Sequence, residues 1–270
     1  MTPISNTNSK SLEPLKAVCV NCATRTQCLN GKLTVEEVNR IPANFIRRFT
    51  LKEGQVLYKM GSPLTHIYNL RFGAVKSEIS LSNGIQQITR FSLPGELLGL
   101  DAIGNGKYQV NTVTIKSSEV CAITYDNFKK MSDEFPALKN SLENPLGVLL
   151  NSTNVHLFDL INLNAKEKLA DFLIDFANQM SKAGFDRDNF RLPMSRSDLA
   201  NYLGIKIETL SRSITQLEKI GAIRINHRHL EFVSRKPLFE ILDPTELREK
   251  HASKKGDVSP YPLKFEKRKP

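Results

Sequence analysis

SRSDLANYLGIKIETLSRSITQLEKIGAI, residues 195–223, predicts two short helices joined at a glycine. Ser195, with Asp198 three residues later, forms a capping-box pattern, so a helix should begin here. Gly204 should end this helix, because glycine tolerates the positive-φ backbone found at helix C-termini. Two short helices joined in this way are typical of the helix-turn-helix motif, whose second helix enters the DNA major groove.

The second helix, predicted from about Lys206 to Ile220 with Gly221 as its stop signal, has two different faces. At about 100° per residue, one face is apolar and comprises Leu210, Ile214 and Leu217. The opposite face carries a carboxylate, hydroxyls and a guanidinium, which are groups that hydrogen-bond to base edges. The residues predicted to contact DNA are Glu208, Ser211, Arg212 and Thr215, with Ser195 and Arg196 at the start of the first helix. The alternative is an ordinary amphipathic surface helix, and the preceding helix and turn favour DNA binding.

A short hairpin is predicted after the second helix, in AIRINHRHLEFV (222–233). Its basic side chains suit contact with DNA phosphates, so it is a candidate wing. These side chains are Arg224, His227, Arg228 and His229. Surface residues without a ligand would give the same pattern.

The N-terminal half of the chain is predicted to be antiparallel β-structure. A short helix is expected in TVEEVNRIPANFIRRF (34–49), and short strands separated by glycines follow from Thr50 to VCAITY (120–125). Asn83-Gly84 predicts a hairpin between KSEISLS and IQQITRFSL, with a type I′ turn because both residues tolerate positive φ. Several closely spaced strands favour a small β-roll or barrel.

A long helix is predicted after the β-strands, because Asn144-Pro145 suits a helix start. Apolar and small side chains then recur at alternating spacings of four and three, as in the seam of paired helices. The seam residues are Leu146, Leu150, Thr153, Leu157 and Leu160. The seam predicts a homodimer coiled coil; the alternative is packing of this stripe on the chain's own β-roll. A further helix is expected from Ala165 to Met180.

Composition limits the classes of function. A net charge of +10 favours a polyanionic partner, although part of the excess lies in the lysine-rich tail. No apolar run is long enough for a membrane span, and the polar start lacks a signal peptide core, so we expect a cytoplasmic protein without membrane contact. A redox enzyme would need a phosphate loop, a dinucleotide fingerprint or a histidine-rich site, and none is found. The sequence therefore does not predict an enzyme.

The chain has four cysteines, and three of them lie within CVNCATRTQC (19–28). Clustered thiols in a reducing compartment are more often metal ligands or redox centres than structural disulfides. The candidate ligands are Cys19, Cys22, Cys28 and the distant Cys121. An iron–sulfur cluster and a four-cysteine zinc site fit this thiol content equally well, and a disulfide pair is a third possibility.

A β-roll, a long helix and a winged helix-turn-helix together resemble the cyclic AMP receptor superfamily of bacterial transcription regulators. The resemblance covers residues 19 to 235. Within the superfamily, the C-x-x-C-x5-C spacing and the distant Cys121 resemble the oxygen-sensing FNR regulators. LPGELLGLDAIGNG (93–106) and ETLSR (208–212) resemble them too.

The resemblance implies a [4Fe-4S] cluster on Cys19, Cys22, Cys28 and Cys121, whose loss in air lowers dimerisation and DNA binding. The same-fold alternative is a regulator with a structural zinc site and no oxygen sensing. The resemblance also implies RNA polymerase as a partner and a TTGAT-type inverted repeat as the operator, read by Glu208, Ser211 and Arg212. Ile207 stands where the nucleotide-responsive receptor has arginine, which favours the FNR-like choice.

Cyclic nucleotide is not expected as a ligand. Nucleotide-binding members of the superfamily hold the phosphate with an Arg-Ser pair after the Gly-Glu-Leu segment. The corresponding GNGKYQVNTVTI (104–115) has neither residue. A buried phosphate would therefore lack its natural counter-charge.

The predicted fold class is α+β, with an N-terminal antiparallel β-roll, a dimerisation helix and a C-terminal winged helix-turn-helix. The predicted boundaries are 1–33 for the leader and cysteine loop, 34–136 for the β-roll, 137–163 for the dimerisation helix, 164–235 for the DNA-binding domain and 236–270 for a basic extension.

Overall fold

The structure, a computed structural model, describes residue 19 and residues 22–42 and 44–242. The strands are β1 Ile46–Leu51, β2 Val56–Tyr58, β3 His66–Phe72, β4 Val75–Ser80, β5 Gln86–Ser92, β6 Leu97–Leu98, β7 Asn111–Thr114, β8 Ser118–Thr124, β9 Asn189–Arg191, β10 Ile223–Asn226 and β11 His229–Phe232. The helices are α1 Val35–Arg40, α2 Tyr125–Glu134, α3 Pro136–Asn140, α4 Glu143–Asn162, α5 Ala165–Lys182, α6 Arg196–Tyr202, α7 Ile207–Lys219 and α8 Lys236–Ile241. Three 3₁₀ turns lie at Arg25–Gln27, Leu29–Lys32 and Leu100–Ala102. In the part of the chain that is described, no helix combines the length and apolarity needed to cross a membrane.

The predicted β-roll is confirmed as two four-stranded antiparallel sheets. The strand order is β1-β8-β3-β6 in the first sheet and β2-β7-β4-β5 in the second. Leu70 and Val120 of the first sheet and Val75 of the second are fully buried in one shared core. Because side chains alternate along a strand, the neighbours of Val120 in β8 point to the other face of the first sheet.

The outer face of the first sheet is covered by α1, α2 and α3. Phe128 and Leu138 pack there against Ile67 and Ile123 in a second core. The sequence analysis did not predict α2, which follows β8 directly and is capped by Thr124. The helix expected over 34–49 is wrong beyond Arg40, since residues 46–51 form β1. A proline disfavours helical backbone at the residue before it, and Ile41-Pro42 therefore ends α1.

The hairpin predicted at Asn83-Gly84 is confirmed, but its turn is not type I′. Gly84 has φ +86°, whereas no positive φ occurs at Asn83. The amide of Gly84 donates to the Leu81 carbonyl over 3.0 Å, and the amide of Leu81 donates to Ile85 over 2.9 Å. This pattern fits a type I turn closed by a glycine in the left-handed conformation, the usual form of a longer hairpin loop.

The helix predicted over 137–163 is two helices, α3 and α4. On α4, the apolar side chains that are more than half exposed are Val148 at 52%, Leu150 at 65%, Leu157 at 56% and Ile161 at 72%. Leu150, Leu157 and Ile161 lie within about 40° of one another around the helix axis and opposite the buried Val155 and Asp159, whereas Val148 lies on the other side. The exposed stripe therefore includes two predicted seam residues and one that the sequence analysis missed.

The remaining predicted seam residues differ in their surroundings. Thr153 is exposed, as a seam residue of an isolated chain should be. Leu146 is half-buried against the core beneath the first sheet. Leu160 is half-buried, and its Cδ2 lies 3.2 Å from the position of a Cβ on Gly204. Leu160 therefore packs beside the helix-turn-helix, and its place in the dimer seam stays a prediction.

The winged helix-turn-helix is confirmed in α6, α7 and the sheet of order β10-β11-β9. Ser195 and Asp198 form the predicted capping box, and Gly204 and Gly221 have φ of +62° and +69°. The strand β9 was not predicted. Together with α5, these elements enclose a core that contains Leu210 and Leu217.

The DNA-binding domain extends beyond the predicted end at residue 235. Helix α8 follows β11 and packs on α5, with Leu238 fully buried and Leu242 nearly so. A short helix without clear periodicity gave no signal in the sequence. The segment 236–242 is therefore part of the domain, while residues 1–18 of the predicted leader and 243–270 of the basic tail lie outside the described residues.

We predict that Leu238→Ala lowers the free energy of unfolding of the DNA-binding domain by about 2–5 kcal/mol, since a fully buried leucine leaves a cavity. Lys236→Ala on the same helix should change it by less than about 0.5 kcal/mol, because that side chain is exposed. Urea denaturation followed by circular dichroism measures both. Equal stability of the two variants would place α8 outside the domain.

Candidate DNA interface and thiol site

The helix α7 is held so that its polar face points to solvent. Its buried side chains include Leu210, Ile214 and Leu217, which pack in the core shared with α5 and α6. Glu208, Arg212 and Thr215 lie on the opposite side and are exposed. The structure therefore presents three of the predicted base-reading residues to solvent on one face of α7.

The fourth reading residue, Ser211, is half-exposed. Its hydroxyl donates to the Ile207 carbonyl over 3.0 Å, and the Thr215 hydroxyl donates to Ser211 over 3.2 Å. These bonds to the preceding turn fix the hydroxyl directions. Each oxygen keeps lone pairs that accept hydrogen bonds, so both residues present acceptors on the face of α7.

Ser195 and Arg196 have different surroundings. The Ser195 hydroxyl accepts from the Asp198 amide over 3.0 Å and donates to its carboxylate over 2.6 Å, so it closes the N-terminus of α6. Arg196 is exposed on the first turn. The Asp198 carboxylate also contacts Lys76 of β4 over 2.9 Å. Burial alone would raise the pKa of Asp198, but the bonds to Ser195 and Lys76 outweigh it and lower that pKa.

The wing is a two-residue hairpin loop between β10 and β11. His227 at its tip has φ +54° and is exposed, as is His229. Arg224 pairs with Glu231 over 2.9 Å, and Arg228 donates to the Pro193 carbonyl over 3.2 Å. Two of the predicted phosphate contacts are therefore engaged within the chain, and the exposed tip is formed by histidine.

Asn201 of α6 joins the DNA-binding domain to the β-roll. Strand β5 is at the edge of its sheet, and edge strands leave backbone groups unpaired. The Asn201 side-chain oxygen accepts from the Ile88 amide over 2.6 Å, and its amide nitrogen donates to Gln86 over 2.8 Å. The side chain thus pairs with the edge as a strand would. The ring of Tyr202 packs beside this contact, 5.2 Å from the ring of Phe91.

The four thiols lie in one region, on the outer face of the first sheet. Cys121 points outward from β8, where Arg48 and Asn69 are its neighbours in the adjacent strands. Cys28 and Cys121 line the same small cavity of about 30 Å³. Cys19 and Cys121 pack on the same core.

Two arginines flank the thiols. Arg48 and Arg71 are joined through Glu119, at 3.8 and 2.8 Å. The Nε atom of each is buried without a hydrogen-bond partner among the described residues. Buried N–H groups that lack acceptors are costly, so this region is suited to a negatively charged group.

The arginines also bear on the ionisation of the thiols. Burial raises the pKa of Cys121 to about 11, although the charge of Arg48 opposes the shift. Burial acts the same way on Cys22, but hydrogen bonds to Thr24 and the hydrogen bond and charge of Arg71 outweigh it and lower the pKa. A thiolate is the form that binds metals. The two guanidinium groups therefore favour the metal-binding form of the thiols.

The described residues contain no group of three or more cysteine, histidine or acidic side chains arranged around a single metal ion. Zinc would need its sulfurs at about 2.3 Å, close around one centre. The chemistry of the site nevertheless fits an iron–sulfur group, because it gathers four thiols and two guanidinium groups.

A larger cavity of about 680 Å³ lies between the β-roll and the helices α4 and α5. Arg90 on its wall donates two hydrogen bonds to Glu96, at 3.2 and 2.6 Å. This guanidinium is therefore already neutralised by a carboxylate of the Gly-Glu-Leu segment.

Family models match the β-roll and the DNA-binding domain separately. A cyclic nucleotide-binding domain model matches residues 48–135, and a Crp-like helix-turn-helix model matches residues 167–250. The chain is 31% identical to the anaerobic regulatory protein of Aggregatibacter actinomycetemcomitans, over 83% of this chain and 87% of that protein. The chain belongs to the Crp/Fnr family of transcription regulators. The predicted family and fold class are confirmed.

Other similar proteins support the same assignment. The chain is 29% identical to the fumarate and nitrate reduction regulatory protein of Escherichia coli K12, over 84% of this chain and 91% of that protein. The structure of FixK2 from Bradyrhizobium japonicum matches with a TM-score of 0.67 and 26% identity, over 73% of this chain and 96% of that chain. Crp/Fnr proteins are DNA-binding regulators that act as dimers, and they are not enzymes.

Sequence reasoning missed several residues of this Crp/Fnr chain. Arg48 and Arg71 come beside the thiols only through the register of β1, β3 and β8. Asn201 looked like an ordinary polar residue in a short helix. Arg48 lay in the segment predicted as a helix, so the sequence analysis gave no signal of its approach to Cys121.

We predict that Glu208→Ala lowers the affinity for a specific operator relative to nonspecific DNA by roughly 5- to 150-fold, equal to about 1–3 kcal/mol. The exposed carboxylate is placed to accept from a base. Glu36→Ala is the matched control, since it removes the same charge from α1, far from α7. Fluorescence anisotropy at fixed salt measures both. An equal loss of specificity for the control would contradict a direct contact of Glu208 with a base.

Proposed function

We propose that the protein is an oxygen-responsive regulator in which Cys19, Cys22, Cys28 and Cys121 hold a [4Fe-4S] cluster. The observation that carries this proposal is that the three thiols of the N-terminal loop lie near Cys121 of β8, so that all four thiols of the chain are in one region. Three of them come from the N-terminal loop, whereas Cys121 belongs to the sheet. A shared cluster would therefore fasten the loop to the β-roll.

The charge around the thiols suits a negatively charged centre. Four thiolates give an iron–sulfur cluster or a zinc site a negative charge, and the buried Nε atoms of Arg48 and Arg71 offer donors to it. Hydrogen bonds and charge near the sulfurs tune such clusters. The relatives named anaerobic regulatory protein support an oxygen-linked role. A structural zinc site in the same fold is the alternative, and no described feature favours it.

When bound, the cluster supplies thiolate bonds that are lost on reaction with oxygen. The residues of the chain then hold the loop by weaker contacts. One is the hydrogen bond from Arg25 to the Leu33 carbonyl at 3.0 Å, and another is that between Cys22 and Thr24 at 3.4 Å. Both lie within the loop segment itself, whereas Leu29 and Leu33 of the loop pack in the core on the outer face of the first sheet. Without the bonds to Cys121, the loop would keep these apolar contacts and lose its linkage through the cluster to β8.

The exposed stripe on α4 supports a homodimer. Leu150, Leu157 and Ile161 form a seam of the spacing used by paired helices, with gaps of seven and four residues. An isolated chain would leave this face in water. Two-fold pairing along α4 would place two copies of α7 about 34 Å apart, one DNA turn, for an inverted repeat.

The reading residues support a TTGAT-type half-site. Glu208, Ser211 and Arg212 offer an acceptor, a hydroxyl and a donor on one face of α7. RNA polymerase is proposed as a further partner, on the basis of the family. We propose no role for cyclic nucleotide, because Arg90 at the large cavity is paired with Glu96. A phosphate there would have to displace this carboxylate.

We predict that Leu150→Glu weakens the dimer by about 100-fold or more, since an unpaired charge would be buried in the seam. Ser152→Glu is the matched control, because Ser152 is exposed on the opposite side of the same helix. Analytical ultracentrifugation of the anaerobically purified protein measures both. Unchanged association of Leu150→Glu would contradict the proposed interface.

The oxygen switch is tested by anaerobic purification, an absorbance spectrum and analysis of iron, sulfide and zinc, followed by exposure to air. We expect a brown protein with about four irons per chain that bleaches in air as its operator affinity falls. Cys121→Ser should bind little iron, because it removes the only ligand from the sheet.

A colourless protein with one tightly bound zinc, binding DNA equally before and after air, would contradict the cluster. That outcome would support the structural zinc alternative. The helix-turn-helix assignment would be unaffected, since it depends on α6 and α7.

A further inference from the structure

Gln27 lies in the cysteine loop, directly before Cys28. The two residues move together, because the Cys28 amide donates to the carbonyls of Thr24 and Arg25 over 3.0 and 3.1 Å. The turn Arg25–Gln27 ends at Cys28, which lines the cavity beside Cys121. Any displacement of Cys28 from β8 therefore displaces Gln27.

The side chain of Gln27 extends from the loop and lies against Gly95 of the β-roll. A Cβ on Gly95 would overlap the side-chain atoms of Gln27, so only glycine leaves room for it. Gly95 has φ +98°, which also favours glycine. Gln27 is itself exposed and therefore lies on the surface of the Gly-Glu-Leu segment.

Beyond Gly95, the Gln27 amide donates to the carbonyl of Lys182, the last residue of α5. The final carbonyls of a helix lack partners within the helix. Two neighbouring ones are satisfied locally, since Gly184 donates to Ser181 over 3.0 Å and Phe185 donates to Met180 over 2.9 Å. The Lys182 carbonyl receives its donor from the cysteine loop.

The end of α5 is rigidly connected to the reading helix. Leu173 and Phe176 of α5 share a core with Leu210 and Leu217 of α7. A contact at Lys182 therefore acts on the position of the whole DNA-binding domain. The domain has a second attachment at Asn201 and β5, which contains no residue of the cysteine loop.

We propose that Gln27 is a positioning residue that couples the state of the thiol loop to the DNA-binding domain of the same chain. With the loop on β8, the end of α5 is held at Lys182 in addition to the contacts at Asn201, the Lys76–Asp198 ion pair and the core shared at Phe91. With the loop released, the Lys182 contact is lost while the other contacts stay, so the end of α5 is held less firmly. This coupling rests on the proposed function and adds a route within one chain to the dimer helix.

The test compares Gln27→Leu with wild type and with Thr26→Ala, a matched control in the same turn whose residue is exposed. Leucine keeps most of the volume of glutamine and removes the donor. Each full-length protein is prepared with iron and after iron removal. Iron content is measured first, then hydrogen exchange at residues 178–186, then operator affinity.

In wild type and Thr26→Ala, we expect faster exchange at the end of α5 after iron removal. In Gln27→Leu, exchange should be fast in both states while iron content is unchanged. The ratio of operator affinities with and without iron should be about 2- to 10-fold smaller in Gln27→Leu, the range expected for one hydrogen bond. Asn201→Ala should change affinity by the same factor in both states.

If Gln27→Leu keeps the iron dependence of wild type in both measurements, the coupling is wrong and the proposed function stands. If wild type binds no iron, both the proposed function and the coupling are wrong. Iron content separates these outcomes before any DNA is added.

Discussion

The alternation of side chains along β8 is the constraint on which the thiol site depends. Val120 and Ala122 face the core between the two sheets, so Cys121 between them must face outward. The outer face is where the cysteine loop and the helices α1–α3 pack. A shift of one residue in the register of β8 would bury the thiol between the sheets and expose Val120. The buried core of the β-roll thereby fixes the position of the proposed ligand.

Contacts with strand β5 orient the DNA-binding domain. Asn201 forms hydrogen bonds with the backbone at the free edge of β5, and Phe91 of β5 shares a core with α5 and α6. The Lys76–Asp198 ion pair lies beside this contact at 2.9 Å. Because Asp198 also caps α6, one carboxylate links the start of the helix-turn-helix to the sheet. The reading face of α7 is left open to solvent by this arrangement.

Local patterns predicted the elements that depend on neighbouring residues. The capping box at Ser195, the glycines at 204 and 221 and the apolar face of α7 all appear as expected. The errors lie where tertiary packing overrides local preference. Residues 46–49 form a strand because β8 pairs with them. A short helix such as α8 gains stability mainly from burial, which periodicity over six residues does not reveal.

The sequence by itself determined the family, the helix-turn-helix with its reading residues and the set of four cysteines, because each is written in residue type and short spacing. Only the tertiary structure decided what surrounds them. The approach of Arg48 and Arg71 to the thiols follows from strand register, and the contact of Gln27 with Lys182 joins residues 155 positions apart. Such contacts depend on how whole elements pack, and no local rule of spacing specifies that packing.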